Sequence, residues 1–514
     1  YMQLIYQNIN YKYFFYNFQK FILFAIIFIF LVKFICFYFL YNYQSRYIYF
    51  TEQRIASTLY KNYLNQNYIF FTSKNSSTMI NNMTNLTISV VITLRNIIEL
   101  VSNYILIFLL LLTLLIVSPF ITLLALFSLA LPTLIIYLLF KQKIILFGKI
   151  LVKNREKVIQ NIQQSIHNIK VVKLWNKSSL VVNKFDKYTI EMASVNKNIY
   201  LLQHFPRVLL ELLLVSVLIF AVFVLINYDY DLKKIIYSIG FFAAVSVKLL
   251  PAINKILISS QGMQAGFKSV DVLYKDLKNI KKNHFTNTKK NITKFNSINI
   301  NNLSFKYKDQ DNYLFENINM QLSKNKIIGL IGETGSGKST FVDLILGLLK
   351  PNSGNIFIDE NELDLNKISL NDVFGYVQQN PYLYEDTILN NILFFNSEIN
   401  KDKINSAVKI SQLYQYIDSL PLGLNTFIGE NALTISGGQK QRISIARCLY
   451  NNPQLIILDE ATNSVNQEIE NKILSSLNEI KENKCILIVT HNVENLKFCD
   501  EIYEIFNKKI IKKK

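Results

Sequence analysis

Eight residues, Gly332-Glu333-Thr334-Gly335-Ser336-Gly337-Lys338-Ser339, have the G-x-x-x-x-G-K-[ST] spacing of a phosphate-binding loop. Glycines let the backbone turn back tightly, so that successive N–H groups face one anion. A helix starting at the end of the loop adds the positive end of its dipole. The Lys338 ammonium can reach the β- and γ-phosphates of a nucleoside triphosphate, and the Ser339 hydroxyl can ligate Mg²⁺. Thr340 completes the candidate nucleotide-binding stretch. The apolar run Ile327 to Ile331 reads as the strand that feeds the loop, and Phe341 to Leu349 as the helix that leaves it.

A second site for chemistry is Leu455-Ile456-Ile457-Leu458-Asp459-Glu460, an apolar run ending in two acids. A buried parallel strand reads as a near-continuous apolar run. At its carboxyl end Asp459 would hold Mg²⁺ and Glu460 would polarise an attacking water. Taken alone, the same run fits a core strand with a solvated acidic turn. Between the two motifs lies Ile435-Ser436-Gly437-Gly438-Gln439, followed by the basic helix start Lys440-Gln441-Arg442. A serine and two glycines before a helix make a second anion site.

Together these residues resemble ATP-binding cassette (ABC) ATPases, over roughly residues 297 to 514. The resemblance makes Ser436, Gly437, Gly438 and Gln439 the signature motif, with Ile435 where leucine is commoner. It implies that the motif contacts the γ-phosphate bound to a partner subunit. Tyr307 stands where the family stacks an aromatic ring on adenine. Gln379, in Val377-Gln378-Gln379-Asn380-Pro381, stands at the Q-loop glutamine, implied to serve catalysis and Mg²⁺. His491 ends the apolar run from Ile486 and stands at the switch histidine that senses the γ-phosphate. Thr426 to Glu430 resembles the X-loop of exporters. The implied cofactors are ATP and Mg²⁺, with Ser339, Gln379 and Asp459 on the metal.

Two positions depart from the pattern. Lys324-Asn325 replaces a usual glycine before the P-loop strand, and asparagine also tolerates the left-handed region. The D-loop, Asn463-Ser464-Val465-Asn466, ends in Asn where Asp is usual, which removes a charge that helps couple two nucleotide sites. Lys338, Asp459, Glu460 and His491 are all present, so the expectation is a working ATPase.

The elements that position these groups divide the chain in two. Its 514 residues are 51% hydrophobic, and the long apolar runs lie in the first half. Lys and Arg number 55 against 36 Asp and Glu, a formal charge of +19. Much of that charge sits in loops beside apolar segments, which favours a membrane protein with its basic loops inside over a nucleic-acid binder. The cysteines Cys36, Cys448, Cys485 and Cys499 form no metal-like pair and imply no disulfide framework.

Five stretches are long enough to span a bilayer: Phe21–Tyr41, Leu100–Ser118, Phe120–Phe140, Val208–Ile226 and Ile235–Ile256. Ser118-Pro119 and Asn227 to Lys234 make short connections. Residues 42–99 and 141–207 are long polar gaps with helical periodicity. Short loops alternating with long ones resemble the ABC exporters, whose helices run far into the cytoplasm and end in coupling helices. Asn67 to Phe71 and Val171 to Trp175 are the candidates for those. The exporter pattern has six helices. Five crossings from a cytoplasmic cassette put residue 1 outside, and the chain begins Tyr1-Met2. The expectation is a sequence lacking the family's first helix; a five-helix variant is the alternative.

Three lysines fall within apolar segments: Lys33, Lys248 and Lys255. Charge at such depth is costly and usually faces a cavity or a partner. Lys248 and Lys255 share a helix face, and Pro251 between them would kink that helix. Lining a cavity, the three would suit an anionic substrate; Lys255 could instead snorkel to the interface, and Glu211 could pair with one of the others. Phe205-Pro206-Arg207, the segment from Lys248 to Lys255, Asn65 to Tyr68, and Lys74 to Ser77 resemble bacterial flippases for lipid-linked oligosaccharides.

The expected architecture is a multi-domain membrane protein. An all-α transmembrane domain of the ABC exporter type (residues 1–270) leads through a linker (271–296) to an α/β P-loop NTPase, the ABC cassette (297–514). The resemblance implies ATP-driven export in the inner membrane of a bacterium by a homodimer, in contact with membrane lipid and an anionic lipid-linked substrate, without nucleic acid. Peptide, lipid or drug exporters share the architecture. A nucleotide-binding regulatory subunit with little turnover is the reading from another class, resting on Asn466. The apolar spans exclude a soluble ABC ATPase of DNA repair or translation.

Overall fold

Apolar runs as long as those of the first half can satisfy their backbone groups within one segment only as helix, and helix is what they form. The computed structural model describes residues 2–117, 119–227, 232–279, 290–308, 310–365, 367–370, 373–429 and 435–514, with the side chains of residues 2–19 and of some residues in the apolar helices outside the description. It divides into two units, Tyr1–Gln66 with Phe70–Lys281, and Asn67–Ile69 with Lys282–Lys514.

The first unit is helical: α1 (Met2–Leu64), α2 (Tyr68–Ser73, whose first two residues count with the second unit), α3 (Ser76–Asn81), a π-helical turn (Asn82–Leu86), α4 (Thr87–Val117), α5 (Pro119–His167), α6 (Ile169–Leu174), α7 (Ser178–Asn227) and α8 (Leu232–Asn279). At ~1.5 Å per residue, each of the long helices α5, α7 and α8 covers on the order of 70 Å, more than twice a hydrocarbon core. Among the described residues four helices are long and apolar enough to cross a membrane: Lys20–Leu64, Ser76–Ile116, Ser178–Val224 and Ile239–Lys278. They take in most of four of the five expected spans. The fifth, Phe120–Phe140, is the helical start of α5, with some of its side chains outside the description. Ser118 also lies outside it, while Pro119 opens α5, where its missing N–H costs nothing.

Two connections are shorter than the sequence suggests. Leu232 to Lys234 already belong to α8, and residues 228–231 lie outside the description. The expected linker loses both ends: α8 runs to Asn279, and Ile292 and Phe295 are buried in the core of the second unit. Residues 280–289 lie outside the description. The proposed coupling segments are the short helices α2 and α6. α8 continues through Pro251. Leu114, Leu129, Leu210, Phe242 and Leu249 form the apolar core where α4, α5, α7 and α8 meet.

The second unit is α/β. Its strands are β1 (Lys290–Asn291), β2 (Ser297–Phe305), β3 (Phe315–Ser323), β4 (Lys326–Gly332), β5 (Ser353–Ile358), β6 (Asn361–Glu362), β7 (Ile368–Ser369), β8 (Phe374–Val377), β9 (Leu455–Asp459), β10 (Cys485–Val489), β11 (Glu501–Phe506) and β12 (Lys509–Lys512). Its helices are α9 (Lys338–Ile345), α10 (Ile388–Leu393), α11 (Lys401–Ile410), α12 (Tyr414–Asp418), α13 (Gly437–Tyr450) and α14 (Gln467–Glu479). The main sheet has the order β12-β11-β4-β10-β9-β8, parallel except for the hairpin partner β12. β9 and β10 are buried at every residue, as continuous apolar runs between helical layers must be. β3 alternates buried and more exposed residues over most of its length, as β2 does from Ser297 to Ile300, and both belong to a separate antiparallel sheet, β3-β2-β5-β6.

α9 begins at Lys338 and stops at Ile345, short of the expected Leu349. Gly347 sits at φ 69°, a left-handed residue that ends the helix. Asn325 takes φ 63°, the conformation the sequence required of it in place of glycine.

Candidate nucleotide and catalytic site

Four adjacent parallel strands, β4, β10, β9 and β8, end on one edge of the main sheet. The P-loop follows β4, His491 follows β10, Asp459 and Glu460 close β9, and Gln379 follows β8. With strands ~4.8 Å apart, the topology alone brings these four segments of distant sequence onto one edge about 15 Å wide.

Glu460 is the centre of the arrangement. Its backbone is left-handed, at φ 50°, which costs a residue with a Cβ and is found where surroundings over-determine it. Its N–H donates to Val489 O at 3.0 Å, fastening the end of β9 to the end of β10. Its Oε2 accepts from Gln379 Nε2 at 2.5 Å and from Asn463 Nδ2 at 3.0 Å, and its Oε1 lies 2.9 Å from His491 Nε2. The Glu460 side chain is 12% exposed and that of His491 42%. The carboxylate is thus held by three neighbours and still reaches solvent, as a group that activates water must.

Asp459 is buried beside it, and burial, then the Glu460 charge, hold its carboxyl above the usual aspartate value. Asp343 on α9 is pushed up to about 6 by burial and by Asp459. Acids kept this close favour a cation among them.

In the P-loop, Gly335 and Gly337 take φ 85° and 101°. A Cβ on Gly337 would stand 2.9 Å from the Phe315 ring, so the loop has room only for glycine there. Buried Lys338 donates to the carbonyls of Gly332 and Glu333 at 2.9 and 3.0 Å, and burial lowers its pKa. The Ser336 hydroxyl is buried with no partner among the described residues. An orphaned hydroxyl in a loop of inward-turned N–H groups fits a polyphosphate. Ser339 is exposed at the start of α9, and Glu333 and Thr334 are exposed in the loop. Tyr307 Oη lies 2.9 Å from Thr340 Oγ1; the residue is 41% exposed, and its ring makes an edge contact with Phe305.

The signature residues begin α13 in a full capping box. Ser436 Oγ accepts from the Gln439 N–H at 3.3 Å, and Gln439 Oε1 accepts from the Ser436 N–H at 2.8 Å. A Cβ on Gly438 would lie 2.7 Å from Ser464 O, so D-loop packing requires glycine in the signature. Asn466 caps α14, its side chain accepting from the Glu468 N–H at 3.0 Å. Asparagine and aspartate do this equally well, so the helix start is indifferent to the departure. The X-loop's Glu430 lies outside the described residues.

Two participants were missed. Asn463 reads in sequence only as a D-loop residue, yet it holds Glu460. Gln441, which reads as part of a basic helix start, is 3% exposed. Its Oε1 accepts from the Ser464 N–H at 2.9 Å and its Nε2 donates to Gln379 O at 3.3 Å. It therefore ties signature helix, D-loop and Q-loop together. Its place one turn before Ser444 and Ile445, on the face of α13 that is buried, was the available signal.

In the first unit, Lys248 and Lys255 line a cavity of about 740 Å³ between α1, α4 and α8, together with Tyr41, Gln44, Glu99 and Asn103. Lys33 is not among the lining residues; it is exposed, with its ammonium 5.5 and 5.7 Å from the Phe30 and Phe37 rings of its own helix. Glu211 pairs with Arg207 one turn away at 2.9 Å, which corrects the expectation that it would partner Lys33 or Lys248. The i,i+4 neighbour needs no tertiary contact and is always in reach.

The second unit has the fold of an ABC cassette, and the first the helical fold found beside it in an ABC exporter. Residues 315–463 match the family model for ABC transporters. A solved structure of a bacterial Atm1-family ABC exporter with ATP bound superposes with a TM-score of 0.79, covering 91% of this chain and 83% of that one at 17% identity. The chain is 30% identical over 367 residues to an uncharacterized ABC transporter ATP-binding protein, YknU, of Bacillus subtilis, covering 69% of this chain and 61% of that protein. It is 34% identical over 230 residues to an ATP-dependent lipid A-core flippase of Photobacterium profundum, covering 44% of this chain and 39% of that protein. A leukotoxin export ATP-binding protein of Aggregatibacter actinomycetemcomitans is 37% identical over 206 residues, 40% of this chain and 29% of that protein. The chain thus spans less than two thirds of these curated relatives.

Proposed function

We propose that the chain is a half-transporter that hydrolyses ATP to export or flip an amphipathic anionic substrate, working as a homodimer in a bacterial inner membrane with its cassette in the cytoplasm. The observation that carries this is Glu460, held by Gln379, Asn463 and His491 on the sheet edge that bears the P-loop, in a chain whose other half is long apolar helices.

In this reading Tyr307 stacks on adenine, and the stretch Gly332 to Thr340 holds the phosphates. Ser339, Gln379 and Asp459 hold Mg²⁺, which when bound neutralises charge on the transferred phosphoryl group. Glu460 orients and deprotonates the attacking water, and His491 senses the γ-phosphate. Ser436 to Gln439 are exposed or half-exposed at the start of α13, as groups that complete a second copy's site must be.

For the substrate we favour a polyprenyl-diphosphate-linked oligosaccharide. Lys248 and Lys255 on one cavity wall suit a diphosphate, since lysine binds phosphate well as a point charge. The relatives include both a lipid A-core flippase and a leukotoxin exporter, so the preference for an anionic glycolipid rests on the two lysines. The test is the purified full chain in lipid nanodiscs. Glu460→Gln should keep ATP binding and lose about 10²–10⁴-fold in turnover. Equal turnover in variant and parent would overturn the assignment, and a parent without turnover would favour a regulatory nucleotide-binding subunit. Mass spectrometry of the co-purified lipid decides the substrate; a peptide or neutral lipid there would remove the flippase reading.

A further inference from the structure

Outside both sites, one carboxylate gathers donors from three separate stretches of the helical unit. Asp276 lies in the last turn of α8, just before the chain leaves toward the cassette. Its Oδ2 accepts from the Tyr63 hydroxyl at the end of α1 and, at 3.0 Å, from Asn82 Nδ2 in the π-helical turn. Its Oδ1 accepts from Lys74 Nζ at 2.5 Å, in the connection between α2 and α3. Asn82 Nδ2 also reaches Tyr63 Oη at 3.1 Å.

The Lys74 ammonium lies 5.1 Å from the rings of both Tyr63 and Phe70, and those rings stack at 5.8 Å. Phe70 belongs to α2, so the node grips that helix as well. Tyr63 and Asn82 are 2% exposed, and Leu59, Leu86 and Leu273 form one buried apolar cluster with Tyr63. In such surroundings charge-assisted bonds are strong and water competes poorly.

Every bond but one in the node ends on Asp276. Removing that one carboxylate leaves Lys74 without its acceptor and Asn82 with only the Tyr63 hydroxyl. The π-helical turn is itself costly and uncommon, and such turns cluster at functional positions; here it sets buried Asn82 onto the node.

We propose that Asp276 is a positioning residue for energy coupling. It makes the end of α1, the α2 turn, the π-helical turn and the last turn of α8 move as one body, so a pull on α8 from the cassette reaches the other membrane helices. This rests on the exporter reading above.

The test uses the full chain in nanodiscs, with Cys36→Ser removing the exposed native thiol while the other three cysteines are buried. Nitroxide pairs are placed at Phe71 and Tyr274, across the node, and at Tyr43 and Val247, across the cavity. In the parent the first pair should give one narrow distance with or without MgATP and vanadate, and the second should shift. Asp276→Asn should broaden the first distance and weaken the coupled shift of the second by about threefold or more, while ATP turnover stays within about twofold of the parent. Asp276→Glu, which keeps the carboxylate, should restore most of the shift; a merely structural role would move thermal stability and not this ratio. Lys74→Ala serves the same purpose should Asp276→Asn fail to fold. A narrow first distance and a full shift in the variants would overturn the proposal. A parent that neither turns over ATP nor shifts would instead overturn the exporter reading, and with it the coupling role, while the first pair would still report whether the node is rigid.

Discussion

The cassette and the helical unit treat charge in opposite ways. In the cassette, Glu460, Lys338 and Asp459 are half-buried or buried and are held by neighbours from other strands and loops. In the helical unit, Lys33 and Glu211 stand exposed beside groups of their own helices, and Lys248 and Lys255 face an open cavity. Chemistry on a phosphoryl group needs fixed geometry, because misplacement by ~1 Å can cost about 10²-fold. On the proposed function, passage of a bulky substrate needs a surface that yields it again, and loosely held charge suffices for that. The Asp276 node is the exception in the helical unit, where rigidity is again the requirement.

The comparison is broken most directly through Gln441. Gln441→Leu keeps the volume but frees the Ser464 N–H and the Gln379 carbonyl, so turnover should fall by about 100-fold with nucleotide binding retained. An ATPase titration alongside a nucleotide-binding isotherm checks this. Turnover near that of the parent would mean that the cassette is held less tightly than its hydrogen bonds indicate.

Next in size is Gly438→Ala. Its Cβ would meet Ser464 O at 2.7 Å, so the D-loop must shift. Overpacking of this kind costs about 1–3 kcal/mol, read as a lower unfolding midpoint together with slower turnover.

Asp343 gives a smaller effect with a definite sign. Its folded pKa, about 6, lies above the ordinary 3.8, so the folded state holds the proton more tightly. The resulting stabilisation is full below about pH 4 and is lost as pH rises through about 6. Asp343→Asn should flatten this slope and raise stability at pH 7 by on the order of 1 kcal/mol after solvent screening. Denaturation at pH 4.5 and 7 on parent and variant measures it; an unchanged slope would remove Asp343 as its source.

The smallest change is expected in the helical unit. Lys248→Ala should lower substrate-stimulated turnover about fivefold, the worth of one net hydrogen bond of ~1 kcal/mol, and Lys33→Ala by less than about twofold. Losses from Lys248→Ala as large as those from Gln441→Leu would erase the contrast between the two regions.

The sequence by itself determined the P-loop, the acid pair at the end of β9, the signature, the glutamine, the histidine and the apolar spans. Each is a local pattern: glycines where the backbone must turn left-handed, continuous apolar runs where strands are buried on both faces, and long apolar runs where only helix can satisfy the backbone. Tertiary structure alone decided that Gln441 and Asn463 belong to the site, that Glu211 bonds Arg207, that Lys33 stands apart from the cavity of Lys248 and Lys255, and that Asp276 collects Tyr63, Lys74 and Asn82. A lone polar residue on a helix has no periodic signature that names its partner. The partner is set by which distant segments the packing brings within hydrogen-bond reach, and Lys74 and Asp276, 202 residues apart, meet only once the helices have packed.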